Sequence, residues 1–570
     1  MPTSRLEPKL WTVVREGYTL SAFSRDVVAG IIVGIIALPL SIALAIASGL
    51  KPEQGLFTAV IAGFLISAFS GSRVQIGGPT GAFIVVVYSV VQKFGYEGLA
   101  IATLMAGVLL ILMGVARLGG VIKFIPYPVT VGFTSGIAVI IFTAQIRDFL
   151  GLAMPPPPAE FIEKIAAYLH YASSVNPSAL LMGVSSYLLI TYWPRVTGKI
   201  PGSLVAILLA TAATSWLDIP VETIGSRFGS VPNRLPFPEI PSLRWELMVQ
   251  LFPAAFTIAL LAGIESLLSA VVADGMTGRR HRSNMELIAH GIANCVSPFF
   301  QGLPATGAIA RTAANIKNGG TTPFSGIVHA LTLLLIMMVF GRWAVMIPMP
   351  VLAAILMRVA FNMGEWQLFA RLFKAPKSDV LVLLSTFGLT VLVDLTVAIE
   401  VGVVLAAFLF MRRMAEVTHV GFIRREMGDD ERDASGMDLP PDERIPPGVE
   451  VFEIQGPFFF GAADRFKDAV RGLRKPPRVL IMRMRYVPVI DVTGLMALED
   501  VWTKCRKEGT TLLLSGVHAQ PRDVFRRTGF RDRIGPEHIF DHFDDALTYA
   551  QACDPAKKGS TLNLKTSGES

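Results

Sequence analysis

Charge is scarce in this chain. Only 17% of its 570 residues are Asp, Glu, Lys or Arg, while 52% are hydrophobic. A soluble globular domain carries about 25% charged residues, so the shortage excludes that class and leaves a polytopic membrane protein, in keeping with a mean hydropathy of +0.53. Cysteine is scarcer still. Cys295, Cys505 and Cys553 are the three present and no CxxC pair occurs, which argues against a disulfide framework or a zinc site. HExxH, P-loop and GxSxG motifs are missing, and the glycine-rich stretches do not follow strands as phosphate-binding loops do. No catalytic constellation emerges, so neither an enzyme nor a resident cofactor or metal is expected. Residues 1–24 are polar and of mixed charge, unlike a cleavable signal peptide. The net charge is +7, but no basic-aromatic array accompanies the cations, and nucleic acid is not an expected partner.

Two stretches echo each other: GGPTGAF at 77–83 and GLPATGAIAR at 302–311, about 225 residues apart by numbering. Read locally, each is a Gly/Pro bend. Read as a pair, each opens a helix, with proline pre-organised for the first turn and the following amides free of intrahelical partners. A helix start inside a bilayer keeps its charge of roughly +0.5 poorly screened, and two such ends facing each other suit a small anion.

A membrane helix needs about 20 mainly apolar residues. Up to about residue 412 the runs predict helices at 27–50, 57–69, 79–91, 99–115, 125–142, 180–193 and 204–216, then 247–273, 287–300, 306–316, 327–340, 350–359, 380–393 and 397–410. That makes fourteen transmembrane helices in two sevens, with a short helix third in each seven. An odd number of crossings per repeat inverts the second half, which turns the two short helices head to head. Gly30 and Gly34 give the first helix a GxxxG packing face, and Pro39 is expected to kink it. Arg73, Arg117, Lys123, Arg195, Lys199, the cluster Arg279-Arg280-His281-Arg282, Lys317, Lys374, Lys377, Arg412 and Arg413 fall on one side. The opposite loops mix fewer cations with Glu97, Asp148, Glu160, Glu222 and Glu239. This asymmetry places both termini in the cytoplasm of a cell whose inner (plasma) membrane holds the chain.

Glu265 lies within FTIALLAGIESLLSAVV. An ionised carboxylate there costs at least about 2.5 kcal/mol, which makes it a functional candidate, with packing against a neighbouring helix as the alternative. Ser269 shares its face at i+4. An anion about 8 Å from the ionised carboxylate would be repelled by roughly 2 kcal/mol at an effective dielectric of 20. Anion and proton occupancy would then favour each other, which is the thermodynamic content of proton symport; sodium at the carboxylate would serve equally. Arg311 reads either as a cation beneath the anion or as a guanidinium snorkelling to the surface. Ser41, beside the proline break of the first helix, is a further candidate to face the site. His290 and His329 read as structural residues near helix ends.

Beyond Arg413 the composition changes. Residues 424–444 are charged and proline-containing, and from Val449 strand-like VEVFEIQG, VLIMRM and TLLLSGV alternate with helical stretches, predicting a small α/β domain. The expected domains are a cytoplasmic N-terminal segment 1–24, a transport domain 25–416 with repeats at about 25–220 and 245–416, a linker 417–447, an α/β domain 448–553 and a disordered tail 554–570.

GGPTGAF, the run AGIESLLSAVVADGMTGRRHRSNMELIAHGIANCVSPFFQGLPATGAIARTAANI at 262–316 and IDVTG at 490–494 together resemble the sulfate permease (SulP) family, also called solute carrier family 26, over about residues 24–550. The resemblance implies a core and a gate moving as an elevator, homodimers, and a cytoplasmic STAS domain open to protein partners. It implies an anion site at Thr80, Gly81, Ala82, Phe83, Thr306, Gly307, Ala308, Ala310 and Arg311, a coupling acid at Glu265, and at Ser269 the hydroxyl of sodium-coupled bicarbonate members. Ala310 departs from the serine of some animal members, and Thr493 sits where related STAS loops are phosphorylated; a helix cap is the alternative. The expected function is proton-coupled symport of sulfate, bicarbonate or a C4-dicarboxylate. Its competitors are a sodium-coupled bicarbonate carrier, a nucleobase-proton symporter, and a membrane-tethered STAS regulator, which a truncation near Arg413 that signals without transporting would favour.

Overall fold

The computed structural model describes residues 6–120, 126–158, 160–197, 201–229, 234–242, 244–393, 395–417, 419–423, 445–471 and 475–553. The charged stretch 424–444, the tail 554–570, and the loop cations Lys123 and Lys199 lie outside them. The chain forms two compact units, Met1–Ala406 and Ala407–Ser570.

Helix α1 (Lys9–Glu16) precedes α2 (Leu20–Ala47) and α3 (Pro52–Phe69); strand β1 (Gly77–Gly78) then leads through a 3-10 turn, Gly81–Phe83, into α4 (Ile84–Val115). Helices α5 (Tyr127–Ala144), α6 (Pro177–Tyr192) and α7 (Gly202–Leu217) follow. Next come α8 (Trp245–Thr277), α9 (Ser283–Val296), strand β2 (Thr306–Gly307) and α10 (Ile309–Lys317). The unit runs on through α11 (Pro323–Phe340), α12 (Met349–Met363), α13 (Lys377–Leu392) and the start of α14 (Leu395–Val417). Among the described residues, five helical stretches are long and apolar enough to cross a bilayer: Leu20–Ala47, Pro52–Phe69, Gly81–Val115, Tyr127–Leu150 and Trp245–Thr277.

Caps and small residues explain the local order. The Thr19 hydroxyl accepts from the Ala22 amide to start α2, which runs on through Pro39. Its GxxxG face meets α11: a Cβ on Gly30 would lie 2.5 Å from the Ser325 carbonyl oxygen, and one on Gly34 3.0 Å from Thr332. Helix α4 is broken at Gly95, whose φ of 67° suits glycine, so its two pieces match the separate helices expected at 79–91 and 99–115. The first expectation needs correction at its start. Helix geometry begins at Gly81 rather than Pro79, because the residues before it are drawn into a strand. Helix α10 has nine residues, short as expected, and starts at Ile309 rather than Thr306 for the same reason.

The helices sort by their packing. Helices α2, α3 and α4 lie against α8, α9 and α11, whereas α5 and α6 lie against α12, and α13 against α5.

In the second unit, β3 (His419–Ile423) pairs antiparallel with β4 (Val449–Gln455), and β5 (Val479–Tyr486), β6 (Thr511–Ser515) and β7 (Ile539–Phe540) continue in parallel. Leu480, Met482 and Met484 face one apolar layer while Val479 and Ile481 face the other, the two-sided burial typical of parallel strands. Helices α15 (Phe460–Arg471), α16 (Val492–Glu508), α17 (Ala519–Arg527) and α18 (Phe543–Ala552) complete the unit. The unit is α/β as expected, and β3, β7 and α17 are additions to the expected elements.

Candidate functional site

The two echoing stretches meet directly. Strands β1 and β2 pair antiparallel, Gly77 opposite Gly307 and Gly78 opposite Thr306, and the Ala308 amide donates to the Ile76 carbonyl at 2.9 Å. Each strand then hands over to a helix, α4 on one side and α10 on the other, running away from the crossing. Extended backbone rather than a helical first turn precedes each helix start, with Thr80 at φ −129° and Ala308 at φ −89°.

Surrounding helices hold the crossing by side chains. The Thr306 hydroxyl donates to the Ala262 carbonyl at 2.8 Å, and the Gln75 amide donates to the Ser266 carbonyl at 3.1 Å. Asn294 grips Ala305 from both sides, accepting from its amide and donating to its carbonyl, each at 2.8 Å. The Leu303 amide donates to the Thr58 hydroxyl at 2.6 Å. Glycine is required where these elements touch: a Cβ on Gly307 would overlap Gln75 at 1.6 Å. Thr58, Gln75 and Asn294 escaped the sequence reading; the signal available for Asn294 was an uncompensated amide in a membrane helix.

Glu265 belongs to this crossing. The Thr80 hydroxyl donates to its Oε2 at 2.8 Å, joining residues 185 positions apart. Thr80, Glu265 and Ala308 are partly exposed and Ala310 is exposed, whereas Gly81, Ala82, Phe83, Thr306 and Gly307 are buried. Gly81 looks toward the other helix group, where an added Cβ would lie 3.2 Å from Ile141 of α5 and 3.4 Å from the Met363 sulfur of α12.

Arg311 does not snorkel to the surface. It is 2% exposed, and its guanidinium donates to the Pro79 carbonyl at 2.8 Å. A Cβ on Gly78 would lie 2.5 Å from its Nη1, so that glycine is what lets the cation press against β1 from behind. Nε and Nη1 have no partner among the described residues. The positive charge thus reaches the crossing through the Gly78–Pro79 backbone.

The remaining candidates fall elsewhere or are already engaged. Ser269 donates to the Thr312 hydroxyl at 3.2 Å, and Thr312 also accepts from the Ile76 amide at 3.1 Å. Ser41 closes back on the Ala37 carbonyl at 2.8 Å, and its backbone lies against Gly55 of α3. His290 and His329 sit within α9 and α11 and are fully buried, rather than near helix ends. The His290 Nδ1 contacts the Glu286 carbonyl at 2.8 Å, while neither ring nitrogen of His329 has a partner among the described residues. Thr493 is exposed in the first turn of α16, where Asp491 rather than Thr493 provides the cap by accepting from the Gly494 amide at 2.7 Å.

Residues 23–386 match the sulfate permease family and residues 440–546 match the STAS domain. The Bacillus subtilis protein named "Putative sulfate transporter YvdB" is 42% identical over 93% of this chain and 98% of its own length. The "Bicarbonate transporter BicA" of Picosynechococcus is 30% identical over 92% of this chain and 94% of its own. The solved structure of the murine Solute Carrier 26 family member A9 anion transporter, in its inward-facing state, superposes with a TM-score of 0.85 at 18% identity, covering 96% of this chain and 94% of that one, which shows a common fold. These matches make the chain a membrane transport protein rather than an enzyme, and it belongs to the sulfate permease family with a STAS domain following the membrane helices.

Proposed function

We propose that the chain is a proton-coupled symporter of a small anion, in the class of sulfate, bicarbonate and C4-dicarboxylates, working in an inner or plasma membrane with both termini cytoplasmic. The observation that carries this reading is the 2.8 Å hydrogen bond from Thr80 to Glu265, because it joins the anion-binding stretch to a titratable group. An anion near the crossing and a negative charge on Glu265 repel each other, and a proton on the carboxyl removes that repulsion, so each ligand favours the other.

In this reading the fourteen helices form two inverted sevens, with α4 divided at Gly95. The antiparallel meeting of β1 and β2 supports the inversion. The group around α2–α4 and α8–α11 is the moving core, and the group around α5–α7 and α12–α14 is the gate of a homodimer, with Gly81 at their boundary. Glu265→Gln keeps an acceptor for Thr80 but cannot carry the proton. The variant in liposomes is expected to retain anion exchange and to lose accumulation driven by an inward proton gradient; accumulation equal to the parent at acid and alkaline pH would defeat the proposal.

Sodium-coupled bicarbonate symport is the second reading. It is favoured by the 30% identity to a bicarbonate transporter and by Ser269, whose hydroxyl lies one turn from Glu265 and bonds Thr312. Replacing external sodium by choline abolishes uptake in that case and leaves proton-driven uptake intact in the first.

A further inference from the structure

Away from the crossing, three pieces of chain are stitched into one concave wall. The Lys9 amide, opening α1, donates to the Ser70 carbonyl at 2.9 Å, and the Arg282 amide donates to the Gly71 carbonyl at 2.9 Å. The Arg282 guanidinium donates to the Glu7 carbonyl at 2.7 Å. These bonds bind α1 to the loop after α3 and to the turn between α8 and α9. Between them lies a cavity of about 450 Å³ whose walls carry Lys9, Arg73, Arg279, Arg280 and Arg282. Its other lining residues are His281 and Glu16.

The charges do not cancel there. Glu16 is engaged by Arg73, Arg282 stands 3.7 Å from Glu7, and His281 contacts Asp274 at 2.7 Å. Lys9, Arg279 and Arg280 have no carboxylate within ion-pair distance among the described residues. Burial, and after it the guanidiniums of Arg282 and Arg73, hold the Lys9 ammonium below the usual lysine range. Loop cations on one side of a membrane are expected from topology alone, but topology asks only that they be present. It does not ask that five of them line one cavity fixed by backbone hydrogen bonds.

We propose that this cavity is a binding site for a compact anion bearing two or more phosphoryl groups. Guanidiniums present forked donors that match phosphate oxygens two at a time. A volume of about 450 Å³ is within the range of small-molecule pockets and far exceeds a single sulfate. Lys9, Arg279 and Arg280, without a carboxylate of their own beside the paired Arg73 and Arg282, call for several negative charges on one ligand. A nucleoside polyphosphate and a phosphorylated lipid headgroup share this chemistry. The site is distinct from the crossing at Thr80 and Glu265 and stands whether or not the chain is proton-coupled.

The test is calorimetric titration of the full chain in neutral-lipid nanodiscs with sodium tripolyphosphate, beside a second arm in which the nanodiscs contain a phosphoinositide. Saturable binding, one ligand per chain, is expected in at least one arm; competition between the two ligands identifies the source. Arg279 and Arg280 are exposed, so the pair Arg279→Gln and Arg280→Gln should fold and weaken binding at least tenfold. The pair Arg371→Gln and Lys374→Gln removes the same charge from exposed positions elsewhere and should leave binding unchanged. Absence of saturable binding in both arms, or an equal loss in the two double variants, would overturn the proposal.

Discussion

Thr80 connects the first of the paired stretches to Glu265 through one hydroxyl. A hydrogen bond to a charged group is worth about 1.5–3 kcal/mol, and about 1.4 kcal/mol is a tenfold change in affinity. Thr80→Val keeps the shape and removes a donor that favours the ionised carboxylate, so by the same linkage half-saturation of radiotracer uptake at alkaline pH is expected to fall, by up to about tenfold, with Thr80→Ser restoring the parent value. An unchanged half-saturation in the valine variant would remove the hydroxyl from the site. Arg311 acts differently. Its guanidinium lies behind β1 and bonds the Pro79 carbonyl, so its influence on an anion is a field across backbone. Lysine, a point charge without the planar fork, is not an equivalent replacement there.

At the scale of elements, the α2–α11 contact depends on missing side chains. An added Cβ at Gly30 would stand 2.5 Å from the Ser325 carbonyl oxygen and 2.7 Å from the Val328 Cβ, and backbone cannot rotate away as a side chain can. Gly30→Ala is expected to cost about 1–3 kcal/mol through overpacking. Gly388 in α13 has nothing within 4 Å of an added Cβ, and Gly388→Ala should be neutral or stabilising by up to about 1 kcal/mol through helix propensity. Thermal unfolding of the two purified variants checks both; equal melting temperatures would show that the α2–α11 face can yield. The crossing itself is a contest between elements. The proline and glycine of each stretch suit a helix start, yet pairing Gly77–Gly78 with Thr306–Gly307 satisfies backbone groups that would otherwise be orphaned in an apolar setting.

For the whole molecule, the division at Ala406 leaves every residue of the crossing in the first unit. A chain ended after Val417 is therefore expected to retain anion exchange in liposomes, though its rate or regulation differs from the full chain. Complete loss of exchange in a correctly inserted, folded truncation would show that the STAS unit takes part in transport itself.

The sequence by itself determined the membrane class, the repetition of the paired stretches, the shortness of α10, the candidacy of Glu265 and the alternating character of the second unit. Each is a local property, read from composition, periodicity or a short motif. Only the tertiary structure decided that the paired stretches form strands hydrogen-bonded to each other, that Thr80 donates to Glu265, that Asn294 clamps Ala305, and that Arg311 is buried. It also decided that Lys9, Arg73 and Arg279–Arg282 line one cavity. The physical reason is sequence separation: β1 and β2 lie more than 220 residues apart, and backbone groups choose among helix, strand and side-chain partners by what is brought next to them. Periodicity within one segment carries no record of that neighbour.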